Sequence, residues 1–249
     1  MRSIVLSCDK YHPLSEHMVV SYRDKWPSHN FKFNIPWNDS KPIHLLEKYS
    51  NEVELIQTPI EFKKTIGSLL DKVDDDEWIF WSTDDTYLIS VDEEEVNITQ
   101  KFVEQCDEDV FGVTFGYIRH VPHSIDEKDT VEYEGLRFVR RTRLTNPWAP
   151  QYWRAKVLKF MFESMEEAPK YKAKQMDYML GDWNNHTSNA FWDIINQGKF
   201  YTLDHNVGIW GESTKRGLIT INCADSFNNY GLEIPTTFEV SDSSIFFDD

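Results

Sequence analysis

WIFWSTDDTYL, residues 78–88, joins a strongly apolar run to two adjacent carboxylates. Trp78–Trp81 is short and rich in aromatic residues, which predicts a buried β-strand. Asp84 and Asp85 follow at its carboxyl end, where burial removes hydration that a bound cation or other partner must replace. Two acids that merely begin a turn are the alternative. The segment therefore predicts a central strand that ends either in an acidic ligand site or in an acidic turn.

Strands and helices alternate around this segment. The further predicted strands of the first half are Ser3–Ser7, Phe31–Ile35, Val53–Ile56 and Val110–Phe115, and its predicted helices are Pro13–Trp26, Glu61–Val73 and Val96–Cys106. Such alternation favours a mainly parallel sheet with helices on both faces. Ligands of such sheets bind at the carboxyl ends of the strands. Cys8–Tyr11 and the Asp84-Asp85 pair are both expected at that edge.

The second half of the chain is less regular. It predicts a β-hairpin over Val131–Leu144, a helix within Pro150–Glu163 after the start of that range, a helix over Ser188–Gln197, and strands over Phe200–Leu203 and Val207–Trp210. No internal repeat or flexible linker interrupts it. We therefore expect one domain over residues 1–240 and an acidic, flexible tail over residues 241–249.

Composition excludes several classes of protein. The net charge of −16 argues against a nucleic-acid partner bound through a basic surface. Three widely spaced cysteines form neither a zinc motif nor a disulfide framework. No stretch reaches the ~20 apolar residues of a membrane span, and the first apolar run is too short for a signal peptide. The expectation is a cytoplasmic protein with at most peripheral contact at the inner face of the membrane.

Three segments share an order and spacing with a known family. They are Ile4–Leu14, which contains Ser-Cys-Asp-Lys-Tyr, then Asp84–Leu88, and then Pro150–Leu158, which contains Gln151 and Trp153. Residues 1–220 resemble the bacterial GT-A glycosyltransferases that build surface polysaccharides such as lipopolysaccharide and capsule. The resemblance implies a GT-A (Rossmann-like) α/β domain that transfers a sugar from a nucleotide-diphosphate donor, with UDP-sugars favoured, to a glycan or glycolipid.

The resemblance also suggests roles for single residues. The turn after the first strand cups the nucleotide base in that family, which makes Cys8, Asp9, Lys10, Tyr11 and Asp84 candidate nucleotide-binding residues. Gln151, Trp153 and Trp192 are the candidate acceptor or sugar contacts. Lys215 and Arg216, between two glycines, are suited to clamp phosphates; an exposed basic turn is the alternative.

A divalent cation is the expected cofactor. Mn²⁺ or Mg²⁺ prefers carboxylate oxygens and substrate phosphates, so Asp85 and Asp84 are the candidate ligands and His205 is a candidate third one. The pair reads Thr-Asp-Asp and not Asp-x-Asp as in the family, which leaves metal dependence open. A lone histidine such as His205 is more often structural.

The catalytic base is expected on a downstream acid. Ser188–Gly198 resembles the family's Asn-Pro-Trp-Glu-Phe-Glu segment, which makes Asp193 the first choice of base in an inverting transfer and Asp182 the second. An acid in the first turn of a helix also simply favours the helix dipole. Two other functions stay open: a non-catalytic nucleotide- or carbohydrate-binding protein, and a nucleotidyltransferase. The latter expects a Gly-rich loop after the first strand, and Cys8–Tyr11 contains no glycine.

Overall fold

The computed structural model describes residues 1–116, 125–142, 147–164, 197–215 and 217–241. Its strands are β1 (Arg2–Leu6), β2 (Lys32–Trp37), β3 (Val53–Gln57), β4 (Trp78–Thr83), β5 (Thr86–Val91), β6 (Val110–Thr114), β7 (Ile125–Tyr133), β8 (Leu136–Arg141), β9 (Gln151–Arg154), β10 (Lys199–Leu203), β11 (Gly208–Glu212), β12 (Thr214–Lys215) and β13 (Leu218–Ile219). Its helices are α1 (His12–Lys25), α2 (Ile43–Tyr49), α3 (Phe62–Leu70), α4 (Glu93–Gln105), α5 (Ala155–Glu163) and α6 (Ile221–Asn229).

Nine of the described strands form one sheet in the order β3-β2-β1-β4-β9-β6-β10-β8-β7. All of them except β8 and β9 run in the same direction. The chain is thus a single α/β domain with a mainly parallel, mixed sheet flanked by helices, which confirms the predicted fold class. Across the described residues, no helix combines the length and the apolar character needed to cross a membrane.

The core lies on both faces of this sheet. Side chains alternate along a strand, so Phe80 of β4 enters one apolar cluster while Trp81 enters the other. The first cluster packs α1 against the sheet through Tyr22 and Trp26. The second packs α3 and α5 against the opposite face. Burial on both faces explains why β4 reads as a continuous apolar run.

The helix expected after the start of Pro150–Glu163 is confirmed, and an unpredicted strand precedes it. Gln151–Arg154 forms β9, which lies antiparallel between β4 and β6 in the middle of the sheet, and helix α5 begins only at Ala155. Tyr152 packs on Phe80 and Trp153 on Phe200, one on each face. Four residues are too few to show the alternation of a strand, and the helical spacing that follows concealed it.

The predicted hairpin over Val131–Leu144 is confirmed within the described residues. Strands β7 and β8 pair antiparallel, with Tyr133 opposite Leu136. Glu134 and Gly135 between them have φ of 45° and 88°, the left-handed backbone that a two-residue turn requires and that glycine adopts at least cost. The tail over 242–249 and nearly all of the predicted helix over Ser188–Gln197 lie outside the described residues.

Candidate functional site

The two polar turns singled out in the sequence meet at the carboxyl edge of the sheet. Strands β1 and β4 are parallel neighbours, with Leu6 opposite Thr83. The N–H of Asp84 donates to the carbonyl of Leu6 at 3.1 Å. The Cys8–Tyr11 turn, closed by a 2.8 Å bond from the Tyr11 N–H to the Cys8 carbonyl, therefore lies beside the acidic pair.

Asp84 is a buried carboxylate with a spare oxygen. Only 8% of the residue is exposed, and Oδ2 has no hydrogen-bond partner among the described residues. Burial, and then the charge of Asp85, raise the pKa of Asp84 well above its ordinary value. A buried, unpartnered acceptor destabilises a fold unless a ligand satisfies it.

Two hydrogen bonds hold Asp85 in place. Its Oδ1 accepts a hydrogen bond from the Thr83 hydroxyl at 2.6 Å, and its carbonyl accepts the N–H of Ser213 at 2.6 Å. Burial raises the pKa of the Asp85 carboxyl. The residues after it form β5, which pairs with β11 in a separate two-stranded sheet and fixes the acidic turn from outside.

Glu212 is a further acid at this site that the sequence did not reveal. It lies opposite Thr86 at the end of β11 and is half-buried. Burial, and then the charge of Asp85, raise the pKa of Glu212, whereas Lys215 acts in the opposite direction. Its place depends on the pairing of β5 with β11, because Glu212 stands far from Asp85 in the chain. No local sequence motif predicts that Glu212 lies at this site.

The acidic pair fits a divalent cation in part. Among the described side chains, no group of three histidines, cysteines or acids is close enough to hold a metal ion. Asp84 nevertheless offers an unpartnered oxygen beside Asp85. Two carboxylates are sufficient for a cation that takes its other ligands from phosphate oxygens and water.

His205 is not brought to the acidic pair as a ligand. Its Nδ1 lies 2.8 Å from Asp204 Oδ1 and its Nε2 lies 2.9 Å from Glu95 Oε2. Both ring nitrogens are therefore engaged with carboxylates. Hydrogen bonds to Asp204 and to Glu95, in that order, raise the pKa of His205. The residue joins the end of β10 to helix α4.

We expect His205→Gln to remove a pH-dependent part of the stability. The pKa of His205 in the folded chain exceeds its unfolded value of about 6.5, so this stabilisation is complete below that pH and disappears as pH rises through the folded pKa. The ion pairs of His205 are exposed, so their contribution to the free energy of unfolding should be at most about 1 kcal/mol. Melting temperatures of both proteins from about pH 5 to about pH 9 test this. A difference that does not change with pH would contradict the ion pairs.

Asp9 has a structural role at the same edge. Its carboxylate accepts the backbone N–H groups of Asn38 at 2.7 Å, Asp39 at 2.8 Å and Ser40 at 2.7 Å, in the loop after β2. Burial alone would raise the pKa of Asp9, but these three donors lower it. Asp9 therefore joins the ends of β1 and β2, while its contact with a nucleobase stays a prediction.

Tyr11 forms an aromatic pair that also lies at this edge. Its ring is partly exposed, and its centroid lies 5.4 Å from that of Phe238. The ammonium of Lys10 lies 5.5 Å from the Tyr11 centroid and 4.9 Å from the Phe238 centroid. A cation above two rings suits a ligand that combines a flat base with an anion. Phe238 gave no signal in the sequence.

The other predicted residues divide into three groups. Trp153 is 1% exposed in the core, so it has no free ring face for a sugar, which corrects the sequence interpretation. Gln151 is buried, and its amide N–H donates to the Ala149 carbonyl at 3.0 Å. Lys215 is exposed on the β12–β13 hairpin, as a phosphate contact requires. Asp182, Trp192, Asp193 and Arg216 lie outside the described residues.

No protein-family model matches the chain, and no curated protein matches it. Solved structures show weak similarity. S. aureus TarS 1-349 is 14% identical with a TM-score of 0.47, and the match covers 83% of this chain and 58% of that one. The chain therefore spans less than two thirds of that protein.

Two further structures are similar at the same level. A 4-diphosphocytidyl-2C-methyl-D-erythritol synthase from Anaerococcus prevotii is 12% identical, with a TM-score of 0.47 and coverage of 92% of this chain and 95% of that one. The apo-form glycosyltransferase GlyE of Streptococcus pneumoniae is 9% identical, with a TM-score of 0.45 and coverage of 80% and 44%. Similarity this weak assigns neither a family nor an activity.

Proposed function

We propose that the chain is a glycosyltransferase that moves a sugar from a nucleoside diphosphate donor, UDP-sugars being favoured, to a glycan or glycolipid acceptor. One observation carries the proposal. Asp84 keeps a buried, unpartnered carboxylate oxygen at the carboxyl end of β4, beside the Cys8–Tyr11 turn. The sequence resemblance to surface-polysaccharide glycosyltransferases supplies the class of donor and acceptor.

Different described residues are assigned to the base, the diphosphate and the cation of the donor complex. The base would stack on the Tyr11 ring, and Lys10 and Lys215 would contact the diphosphate. Asp84 and Asp85 would hold Mn²⁺ or Mg²⁺. The cation, when bound, offsets the negative charge that develops on the leaving diphosphate. Because Asp85 is fixed by Thr83 and Ser213, the pair needs little rearrangement to receive its ligand.

The acceptor needs a carboxylate as well. A sugar hydroxyl is a poor nucleophile, and a positioned carboxylate removes its proton as the new glycosidic bond forms. Asp193 is the proposed base, Asp182 is the rival, and Trp192 is the proposed contact for the acceptor sugar. A single base acting on the acceptor implies inversion at the anomeric carbon.

Nucleotide binding tests the proposal directly. We expect UDP with Mn²⁺ to raise the melting temperature more than UDP alone and more than other nucleoside diphosphates. Binding only to the folded state stabilises it by about 2.7 kcal/mol at a ligand concentration of about 100 times Kd. Calorimetry with UDP at millimolar concentration provides the affinity. Absence of binding to every nucleoside diphosphate, with or without metal, would reject the function.

Turnover assays separate the alternatives. A nucleotidyltransferase would consume a nucleoside triphosphate and release pyrophosphate, whereas a transferase releases the nucleoside diphosphate from its sugar donor. A non-catalytic binding protein would bind UDP-sugar without releasing UDP. Each outcome is measurable on the same preparation.

Cys8 provides a chemical probe of the site. We expect UDP with Mn²⁺ to slow alkylation of Cys8, by about tenfold when UDP is at about ten times Kd, because the bound nucleotide covers the turn. Cys106 is the matched control, since both thiols are partly exposed and burial raises the pKa of both. Mass spectrometry measures the two rates in one sample. Equal rates at Cys8 with and without UDP would place the nucleotide elsewhere.

A further inference from the structure

Residues 239–241 pair with β13, and a turn over residues 235–238 precedes them. The N–H of Ile219 donates to the Glu239 carbonyl at 2.8 Å, and the N–H of Ser241 donates back to the Ile219 carbonyl at 2.7 Å. Ile219 and Val240 form a parallel bridge. The N–H of Phe238 donates to the Pro235 carbonyl at 3.0 Å. Backbone bonds therefore fix Phe238 on both sides.

The same backbone bonds continue to the acidic turn. Ile219 pairs with Thr214 across the β12–β13 hairpin. The N–H of Thr220 donates to the Ser213 carbonyl at 3.0 Å, and the N–H of Ser213 donates to the Asp85 carbonyl at 2.6 Å. A short path of hydrogen-bonded backbone thus links the proposed phosphate end of the site to Phe238.

Phe238 lies beside Tyr11, the proposed contact for the base. It is 7% exposed and shares a buried cluster with Leu14, Ile219 and Phe227. Its ring contacts Tyr11 at an interplanar angle of 51°, which leaves no room for a base between the rings. Phe238 therefore covers part of the Tyr11 ring, and a base can stack only on the part that stays exposed.

We infer that Phe238 is a positioning residue for the nucleobase. By packing on Tyr11, it fixes the ring that receives the base, and residues 235–241 form the base-side wall of the donor site. The inference rests on the proposed function, since it assumes a nucleotide donor. Pyrophosphate, which has no base, does not stack on Tyr11.

The test compares two ligands on one set of variants. Phe238→Leu keeps an apolar side chain but loses the ring, and Phe238→Tyr keeps the ring. We expect Phe238→Leu to weaken UDP binding about tenfold, a factor within the range of about fivefold to about 150-fold that base stacking on an aromatic ring contributes. Pyrophosphate binding, measured with Mn²⁺ in both cases, should weaken much less, since the Phe238 ring borders only one proposed phosphate contact, Lys10, and Phe238→Tyr should bind UDP like the wild type.

Phe227→Leu is the matched control from the same cluster, because its ring stacks on His17 and not on Tyr11. It should leave both affinities unchanged. Since UDP and pyrophosphate are titrated into the same preparation, a loss of folded protein reduces both apparent stoichiometries alike and leaves their affinity ratio interpretable. Tyr11→Leu added to Phe238→Leu should cause little further loss, because the two rings act together.

Two results would overturn the inference: wild-type UDP affinity in Phe238→Leu, or an equal loss of UDP and pyrophosphate affinity. Failure of the wild-type protein to bind UDP is a different result. It would reject the proposed function before any variant is compared.

Discussion

Asp84→Asn should lower the rate of sugar transfer about 10²–10³-fold and at the same time stabilise the ligand-free protein. The carboxylate is buried with one unpartnered oxygen, so its charge destabilises the fold in the absence of a cation. An uncharged amide of the same shape avoids that cost, and we expect a gain of about 1–3 kcal/mol. Loss of one electrostatic contact to the developing charge typically lowers turnover about 10²–10³-fold. Thermal unfolding and turnover of the same variant measure both effects.

The stabilisation should depend on pH. The folded-state pKa of Asp84 is raised above its unfolded value of about 3.9, so the fold is favoured while the group is protonated. This stabilisation of the wild type by protonated Asp84 is complete below the unfolded-state pKa and is lost as pH rises through the folded-state pKa. The melting temperature of Asp84→Asn should therefore exceed that of the wild type by a margin that grows with pH.

Controls identify the source of the effect. Asp107→Asn makes the same chemical change at an exposed acid and should alter neither stability nor turnover. Asp85→Asn should also lose turnover but gain less stability, because Thr83 donates to its carboxylate and, unlike Asp84, it has no unpartnered buried oxygen among the described residues. Full activity in a protein with both Asp84 and Asp85 replaced by alanine would remove the acidic pair from the mechanism.

Asp193→Asn should lower turnover by about 10²–10⁴-fold and leave donor binding nearly unchanged. The range is the usual contribution of general-base assistance. Asparagine keeps the size of the side chain but cannot accept the proton of the acceptor hydroxyl. Since the loss lies in the chemical step, kcat should fall while the Kd for UDP stays constant. Steady-state turnover and calorimetry on the same preparation measure the two quantities.

Asp182→Asn is both the control and the rival. An inactive Asp182→Asn beside a nearly normal Asp193→Asn would transfer the role of base to Asp182. Activity in both variants, or a product that keeps the anomeric configuration of the donor, would contradict a single-base inverting reaction. NMR of the product's anomeric centre distinguishes inversion from retention.

Most elements in the first half of the fold were predicted from the sequence because they carry their own local signal, but helix α2 and strand β5 were not predicted. The run before Asp84 is apolar on both faces of β4, and Pro13 lies in the first turn of α1. Strand β9 was not readable, since its pairing with β4 and β6 comes from distant parts of the chain. Local pattern predicts elements well, but it does not predict which strand is inserted between two others.

In the candidate site, too, residues with a local sequence signal could be predicted, whereas residues placed by long-range pairing could not. Asp84 and the Cys8–Tyr11 turn could be placed at one edge because both directly follow parallel strands. Glu212 and Phe238 reach that edge only through β-pairing in the last part of the sequence. Asp9 could be located but its role could not, because the three N–H groups that it accepts belong to the loop after β2.

The backbone bonds from Asp85 through Ser213 and Ile219 to Glu239 have a kinetic consequence. They close a loop between early and late segments, and contacts so distant along the chain form slowly during folding. During synthesis, the nascent chain can assemble β1 to β4 before residue 238 has left the ribosome, but Tyr11 then lacks the ring that packs on it. UDP should therefore bind weakly to early refolding species, and its full affinity should develop only with the final folding phase.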